Sequence, residues 1–155
     1  MKSFWCFSIF SVTTLLLSFQ VPQAKADQTN HQSFEQWCLQ KDSLSIETKY
    51  TIKVLLEKSG TQDCKLADKN LNTLPTLDLS GYQISDVNPI AALTNLTKLA
   101  IALSAIRDIK PLGNLTKLTE LYLGGNQISD IKALASLTNL TSLNLNGNQI
   151  RDIAK

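Results

Sequence analysis

The stretch "LTELYLGGNQISDIKALASLTN", residues 118–139, decides the fold of this 155-residue chain. It is the third of four rows that align when the C-terminal half is shifted against itself by 22 residues, and the fourth row is incomplete. The rows, numbered one to four below, begin at Leu74, Leu96, Leu118 and Leu140. The columns that do not vary between rows include Leu77, Leu99, Leu121, Leu143 and Asp86, Asp108, Asp130, Asp152. A fixed period of this length is typical of a solenoid, in which each coil stacks on the next.

Within each row the apolar residues follow the period of a short β-strand. In row three, Leu121 and Leu123 alternate with Glu120, Tyr122 and Gly124. The leucines are therefore predicted to point into the coil and the intervening residues toward solvent. Further apolar columns are predicted to complete the core: Leu79, Ile101, Leu123, Leu145; Ile84, Ile106, Ile128, Ile150; and Val87, Ile109, Ile131, Ile153.

Two polar columns are predicted to satisfy backbone groups at the turns. Asn126 and Asn148 stand where the chain leaves the strand. An inward amide there can donate and accept hydrogen bonds, which predicts a structural asparagine ladder. Rows one and two carry Tyr82 and Ser104 at this place and are expected to be locally irregular. The recurring aspartates are predicted to accept turn N–H bonds, in preference to binding Ca²⁺ or acting as acids and bases.

The stretch "LTNLTSLNLNGNQIRDI" (137–153) resembles leucine-rich repeat proteins of the 22-residue, internalin-like class. The resemblance covers roughly residues 71–155, which are expected to hold about four repeats. The chain is also similar to exported bacterial proteins in which such repeats follow a small helical cap. The resemblance implies an α/β solenoid, a curved right-handed coil with about four short parallel strands on a concave face that commonly binds proteins.

Residues 1–26 have the three-part layout of a secretory signal peptide. Lys2 supplies a positive charge, an uncharged and largely apolar run covers residues 4–21, and Ala24-Lys25-Ala26 forms an A-x-A cleavage site. A retained membrane anchor is the alternative, because the run is near the lower length limit for a span. The polar residues in the run favour cleavage. The mature chain is therefore expected to begin at Asp27, to be secreted or periplasmic, and to keep no membrane segment.

Residues 27–70 do not repeat and are predicted to form a helical N-terminal cap that covers the first coil. Ser33 and Gln36 make a capping-box pattern at the start of one helix. Gly60 is a suitable C-cap for a second helix.

Removal of the signal peptide, which contains Cys6, leaves two cysteines, Cys38 and Cys64. These two are predicted to form a disulfide in an oxidising compartment. The alternative, zinc binding together with His31, is disfavoured because the spacing fits no zinc pattern.

Composition argues against several classes of function. Loss of Lys2 and Lys25 with the signal balances the remaining basic residues against the 13 acidic ones. A neutral chain has no electrostatic footprint for nucleic acid, nor a basic face for a membrane surface. A single histidine and two paired cysteines leave no general base or thiol nucleophile. We therefore predict no enzymatic activity, no metal and no cofactor.

Function is assigned instead to binding through the outward strand positions of the concave face. Tyr122 is the predicted anchor, because aromatic residues dominate binding hot spots. The candidate partner-binding residues are Asp78, Lys98, Glu120, Tyr122, Asn144 and Asn146. Four strands about 4.8 Å apart span roughly 15 Å, and about four residues along each strand span roughly 13 Å, so the patch covers on the order of 200 Å². A standard interface needs about 800 Å² per partner, so the cap, the loops or a larger assembly must contribute.

Two interpretations of function remain open. The first is an exported protein–protein interaction module with an unknown protein partner. The second is a truncated or remnant solenoid with no independent activity. Self-association through an uncapped C-terminal repeat is a further expectation, because the strand around residues 142–146 would present unpaired backbone groups.

The strand period predicts that Leu121→Ala is far more damaging than Tyr122→Ala. Loss of the buried leucine should lower the free energy of unfolding by about 2–5 kcal/mol, because a cavity adds to the lost burial. Loss of the outward tyrosine should leave stability nearly unchanged. Thermal melting of both variants checks this, and equal losses would show that the strand phase is wrong.

Overall fold

The computed structural model describes residues 32–151. The predicted signal peptide, His31 and Asp152 lie outside the described residues. The chain begins with three α-helices, α1 (Phe34–Leu39), α2 (Ile46–Ser59) and α3 (Cys64–Asn72), with a short 3₁₀ turn at Lys41–Ser43. Cys38 in α1 and Cys64 in α3 form the predicted disulfide, with an S–S distance of 2.03 Å. The disulfide therefore joins the first helix of the cap to the third.

Local capping explains where these helices begin and end. The Ser33 hydroxyl accepts the Gln36 N–H, and the Gln36 side chain accepts the Ser33 N–H, which is the predicted capping box. Gly60 ends α2 with a left-handed φ of 72°. Helix α3, which was not predicted from the sequence, starts where the Asp63 side chain accepts the Leu66 N–H. The predicted cap boundary at residue 70 falls inside this helix.

Four parallel strands follow in chain order: β1 (Thr76–Asp78), β2 (Lys98–Ala100), β3 (Glu120–Tyr122) and β4 (Ser142–Asn144). Each residue pairs with the residue 22 positions later, so Leu77, Leu99, Leu121 and Leu143 lie side by side. The return path of the coils contains 3₁₀ helices at Ile90–Ala92, Lys110–Asn114 and Lys132–Ser136. This architecture confirms the predicted leucine-rich repeat solenoid.

The core is one cluster that joins the apolar columns of the repeat to buried residues of the cap, such as Phe34 and Leu55. The side chains of Leu99 and Leu121 are fully buried between neighbouring coils. Leu143, the member of the same column in row four, is 45% exposed, since no later coil covers it within the described residues. Burial in this core therefore depends on stacking between coils.

The aspartate column holds the turns of the coils. Asp86, Asp108 and Asp130 each accept a backbone N–H from the residue two positions later at 2.9 Å. Asp86 has additional partners in the cap, because its carboxylate also accepts the Thr48 hydroxyl. The Thr51 hydroxyl donates to the backbone carbonyl of Asp86 at 2.7 Å. Helix α2 is thus bonded to the first coil through one member of a repeating column.

The asparagine column bridges successive coils. The Asn126 carbonyl oxygen accepts the Ile106 N–H, and its amide group donates to the carbonyls of Ile101 and Leu123. Asn148 makes the three equivalent bonds one coil later.

Row two departs from this pattern at Ser104. Within the described residues, the Ser104 hydroxyl donates one long hydrogen bond of 3.4 Å, to the Ala102 carbonyl of its own row. Within residues 32–151 the N–H of Ile84, the counterpart of Ile106, has no hydrogen-bond partner. Row two therefore lacks the bridge that stabilises rows three and four.

Ser104→Asn should restore that bridge and stabilise the protein. The new amide would be placed to accept the Ile84 N–H and to donate to two carbonyls, at about 0.5–1.5 kcal/mol net per hydrogen bond. We expect the free energy of unfolding to rise by about 1–2 kcal/mol in total. Urea denaturation measures this free energy, and Ser129→Asn, at an exposed position of row three, is the matched control. A loss of stability in Ser104→Asn would show that row two has no room for the amide.

Candidate functional site

The candidate site is the solvent side of the parallel sheet, called the sheet face below. The outward strand positions of this face include five of the predicted binding residues, Asp78, Lys98, Glu120, Tyr122 and Asn144. The sixth, Asn146, lies two residues beyond β4. Parallel pairing brings equivalent positions of neighbouring rows side by side. Side chains along a strand alternate between the core and solvent, so every second one lies on the sheet face.

The structure brings Lys98, Glu120 and Tyr122 into one hydrogen-bonded cluster. The Nζ atom of Lys98 lies 2.8 Å from Oε2 of Glu120, and the Tyr122 hydroxyl donates to the same oxygen at 2.9 Å. The Ser142 and Tyr122 hydroxyls are 3.3 Å apart. The Lys98 Nζ also lies 5.3 Å from the centroid of the Tyr122 ring, within cation–π range. Tyr122, the predicted anchor, is therefore held in place by neighbours on three strands.

The charges of the sheet face alternate in sign. The hydrogen bond from Lys98, followed by that from Tyr122, lowers the pKa of the Glu120 carboxyl. The bond to Glu120 and its negative charge raise the pKa of the Lys98 ammonium. Hydrogen bonds from the backbone and hydroxyl of Ser80 lower the pKa of Asp78, with smaller contributions from Lys58 and Lys98. Both members of the Lys98–Glu120 pair are exposed, so solvent screens their attraction and its effect on stability is small.

A second lysine–tyrosine pair, which the sequence reasoning missed, borders the sheet face at the cap. The Nζ atom of Lys58 in α2 lies 4.7 Å from the centroid of the Tyr82 ring. The charge of Lys58 also contributes to the lowered pKa of Asp78. The cap therefore adds a cation to the edge of the site, beside the aromatic ring of Tyr82 in row one. The single signal in the sequence was the unusual Tyr82 in the asparagine column.

The two asparagines of row four remain apart from the cluster. Oδ1 of Asn144 accepts the Asn146 N–H at 3.0 Å, which repeats the bond between Asp78 and Ser80 in row one. Both asparagine side chains are exposed.

The described chain also has hollows away from the sheet face. A hollow of about 350 Å³ lies between Trp37 of α1 and the return path of rows one and two, with Ala91 and Pro111 on its apolar side. No group of histidine, cysteine or acidic side chains in residues 32–151 is arranged to hold a metal ion. None of the helices in that range has the length and apolarity needed to span a membrane.

The lowered pKa of Glu120 has a measurable consequence. We expect its NMR titration midpoint below the ordinary glutamate value, and Tyr122→Phe and Lys98→Met should each move the midpoint upward. The contribution of this carboxylate to stability is complete above the unfolded-state pKa and is lost as the pH falls through the folded-state value. Tyr50→Phe, on the exposed side of α2, is the control and should leave the midpoint unchanged. A midpoint at the ordinary value in the wild-type chain would contradict the cluster.

Comparison with known proteins identifies the repeats. The family model for leucine-rich repeats (two copies) matches residues 116–155. No curated protein matches the chain. A crystal structure of an internalin (inlF) from Listeria monocytogenes is similar over 67% of this chain and 31% of that chain, with 37% identity and a TM-score of 0.59.

A second similar structure is the functional domain of InlJ from Listeria monocytogenes, which is described as including a cysteine ladder. The match covers 79% of this chain and 25% of that chain, with 27% identity and a TM-score of 0.55. The chain thus spans less than a third of the length of either structure.

Proposed function

Because the chain is an internalin-like leucine-rich repeat protein, we propose that it is an exported module that binds a protein partner through the sheet face. Leucine-rich repeat proteins generally mediate protein–protein interactions. The observation that carries the proposal is the pre-ordered cluster of Lys98, Glu120 and Tyr122. An aromatic side chain already fixed by its neighbours loses little conformational entropy when a partner covers it.

The chemistry of the described residues favours binding over catalysis. The Cys38 and Cys64 thiols are joined in the disulfide. Three of the repeating aspartates, Asp86, Asp108 and Asp130, accept hydrogen bonds from backbone N–H groups. The Lys98–Glu120 pair lies in solvent on an open face, and a general acid or base needs a site that holds its substrate. We therefore assign the polar cluster to recognition of a protein surface.

Export is part of the proposal and has two supports. Residues 1–26 carry the three-part pattern of a signal peptide. The disulfide between Cys38 and Cys64 requires an oxidising compartment to form and persist. The exported chain is accordingly expected to begin at Asp27, which N-terminal sequencing of protein from the culture medium checks.

The size of the sheet face sets the kind of interface. The strand residues alone give an area on the order of 200 Å², against about 800 Å² per partner in a standard interface. The Lys58–Tyr82 pair extends the face onto the cap, and the partner is expected to contact both. The alternative is a remnant solenoid with no binding activity of its own.

A binding comparison separates these proposals. A partner captured by chemical cross-linking to the exported chain is purified, and its affinity is measured against variants. Tyr122→Ala should weaken binding at least tenfold, because it removes the aromatic ring and leaves the Glu120 carboxylate without its hydroxyl donor. Tyr50→Ala, which removes an exposed tyrosine from α2, is the control and should bind as the wild type does. Equal affinities for all three would refute the sheet face as the site, and no saturable partner would favour the remnant.

A further inference from the structure

Leu103 occupies a backbone conformation that favours glycine. The other three rows have Gly81, Gly125 and Gly147 at this position, with φ values of 78°, 70° and 72°. Leu103 adopts a φ of 53°, in the left-handed region where a Cβ atom crowds the following carbonyl. Its side chain is nevertheless 69% exposed. The strain is therefore not offset by burial in the core.

The surrounding contacts fix the direction of this leucine. Its N–H donates to the Gly124 carbonyl at 2.9 Å, and its carbonyl accepts from the Gln83 side chain at 3.2 Å. A Cβ atom added at Gly125 would lie 2.8 Å from Cδ2 of Leu103, so the leucine side chain rests over bare backbone of the next coil. Leu103 thus lies with one side against Gly125 and the other open to solvent.

The residues on either side of Leu103 in the chain, Ala102 and Ser104, are small and uncharged. The outward residues of row two that precede it are Ala100 and Ala102, where row three has Tyr122 and Gly124. The following residue, Ser104, gives up the bridge that asparagine makes in rows three and four. Two adjacent residues of one turn therefore differ from the glycine and asparagine that rows three and four carry there. Strain and lost hydrogen bonds that bring no gain in the folded state are typical of functional sites.

We propose that Leu103 is the apolar anchor of an interaction surface at the end of the second strand, and that it inserts into an apolar depression on a folded protein partner. This inference rests on the proposed function and names a second point of contact for the same partner. The uncharged surroundings, Ala102, Gly124 and Gly125, call for a partner that is itself uncharged around the depression. The small side chains allow the partner to approach the backbone closely.

The shape and chemistry of the turn favour this occupant over others. A projecting side chain cannot enclose a small molecule, which needs a concave site. Nucleic acid requires a basic patch, and the residues on either side of Leu103 in the chain, Ala102 and Ser104, are uncharged. A single leucine also buries too little apolar area to hold the chain at a membrane.

Leu103→Gly is the decisive variant, because it restores the residue of the other rows. We expect its melting temperature to rise by a few degrees, so that a loss of binding cannot be attributed to unfolding. Leu39→Ala is the matched control, since Leu39 at the end of α1 is 68% exposed in an ordinary helical conformation. A lower melting temperature for Leu103→Gly would overturn the argument from strain.

The probe is a phage-displayed library of one small folded domain with a randomised surface, selected against the wild-type exported chain. Independent binders should converge on the anchor, and most should lose at least tenfold in affinity for Leu103→Gly while retaining affinity for Leu39→Ala. Binders that are weakened by Tyr122→Ala and not by Leu103→Gly would overturn the anchor and leave the sheet face in place. Binders whose affinity changes with neither substitution would overturn both the anchor and the sheet face. An equal loss of affinity for Leu39→Ala would show that any exposed leucine contributes to binding in this way.

Discussion

The leucines of each coil can be buried only against the next coil, and this constraint governs the whole molecule. A strand of three residues, such as Glu120–Tyr122, has too few contacts of its own to be stable. Pairing at a fixed offset of 22 residues aligns the leucine columns and produces the buried interior. The same offset aligns the outward columns, so the position of every sheet-face residue follows from the need to bury leucine.

The first coil meets this constraint by contact with the helical cap. Leu77 is almost fully buried although no coil precedes it in the described chain. The hydrogen bonds from Thr48 and Thr51 to Asp86 fix α2 against this coil, and the disulfide fixes α1 to α3. Docking of α2 also brings Lys58 over the Tyr82 ring. A contact that closes the core at one end thereby supplies charge and aromatic surface at the edge of the proposed binding face.

The repeat made the solenoid predictable, because a 22-residue period determines strand phase and register together. Leu121 inside the coil and Tyr122 outside both follow from it, and so does the bond from Asp130 to a turn N–H. The period carries no information about contacts between unlike elements. Helix α3 was missed because its polar sequence has few apolar positions, and Lys58 was missed because the docking of α2 depends on tertiary contacts. The hydrogen bonds from Lys98 and Tyr122 to Glu120 depend on side-chain conformations, which the residue types in a repeat do not specify.

Departures from the repeat are informative because the repeat itself supplies the reference. In most proteins an exposed leucine or a missing amide cannot be judged against an equivalent site, but here the other rows show which residue stability favours. Leu103 and Ser104 stand beside glycine and asparagine in the neighbouring row, in coils of the same geometry. The geometry of the turn requires neither of these residues, since Gly125 and Asn126 occupy the same positions 22 residues later in the chain. Their presence in one turn, next to the strand that carries Lys98, is the physical reason to place a second contact of the proposed partner there.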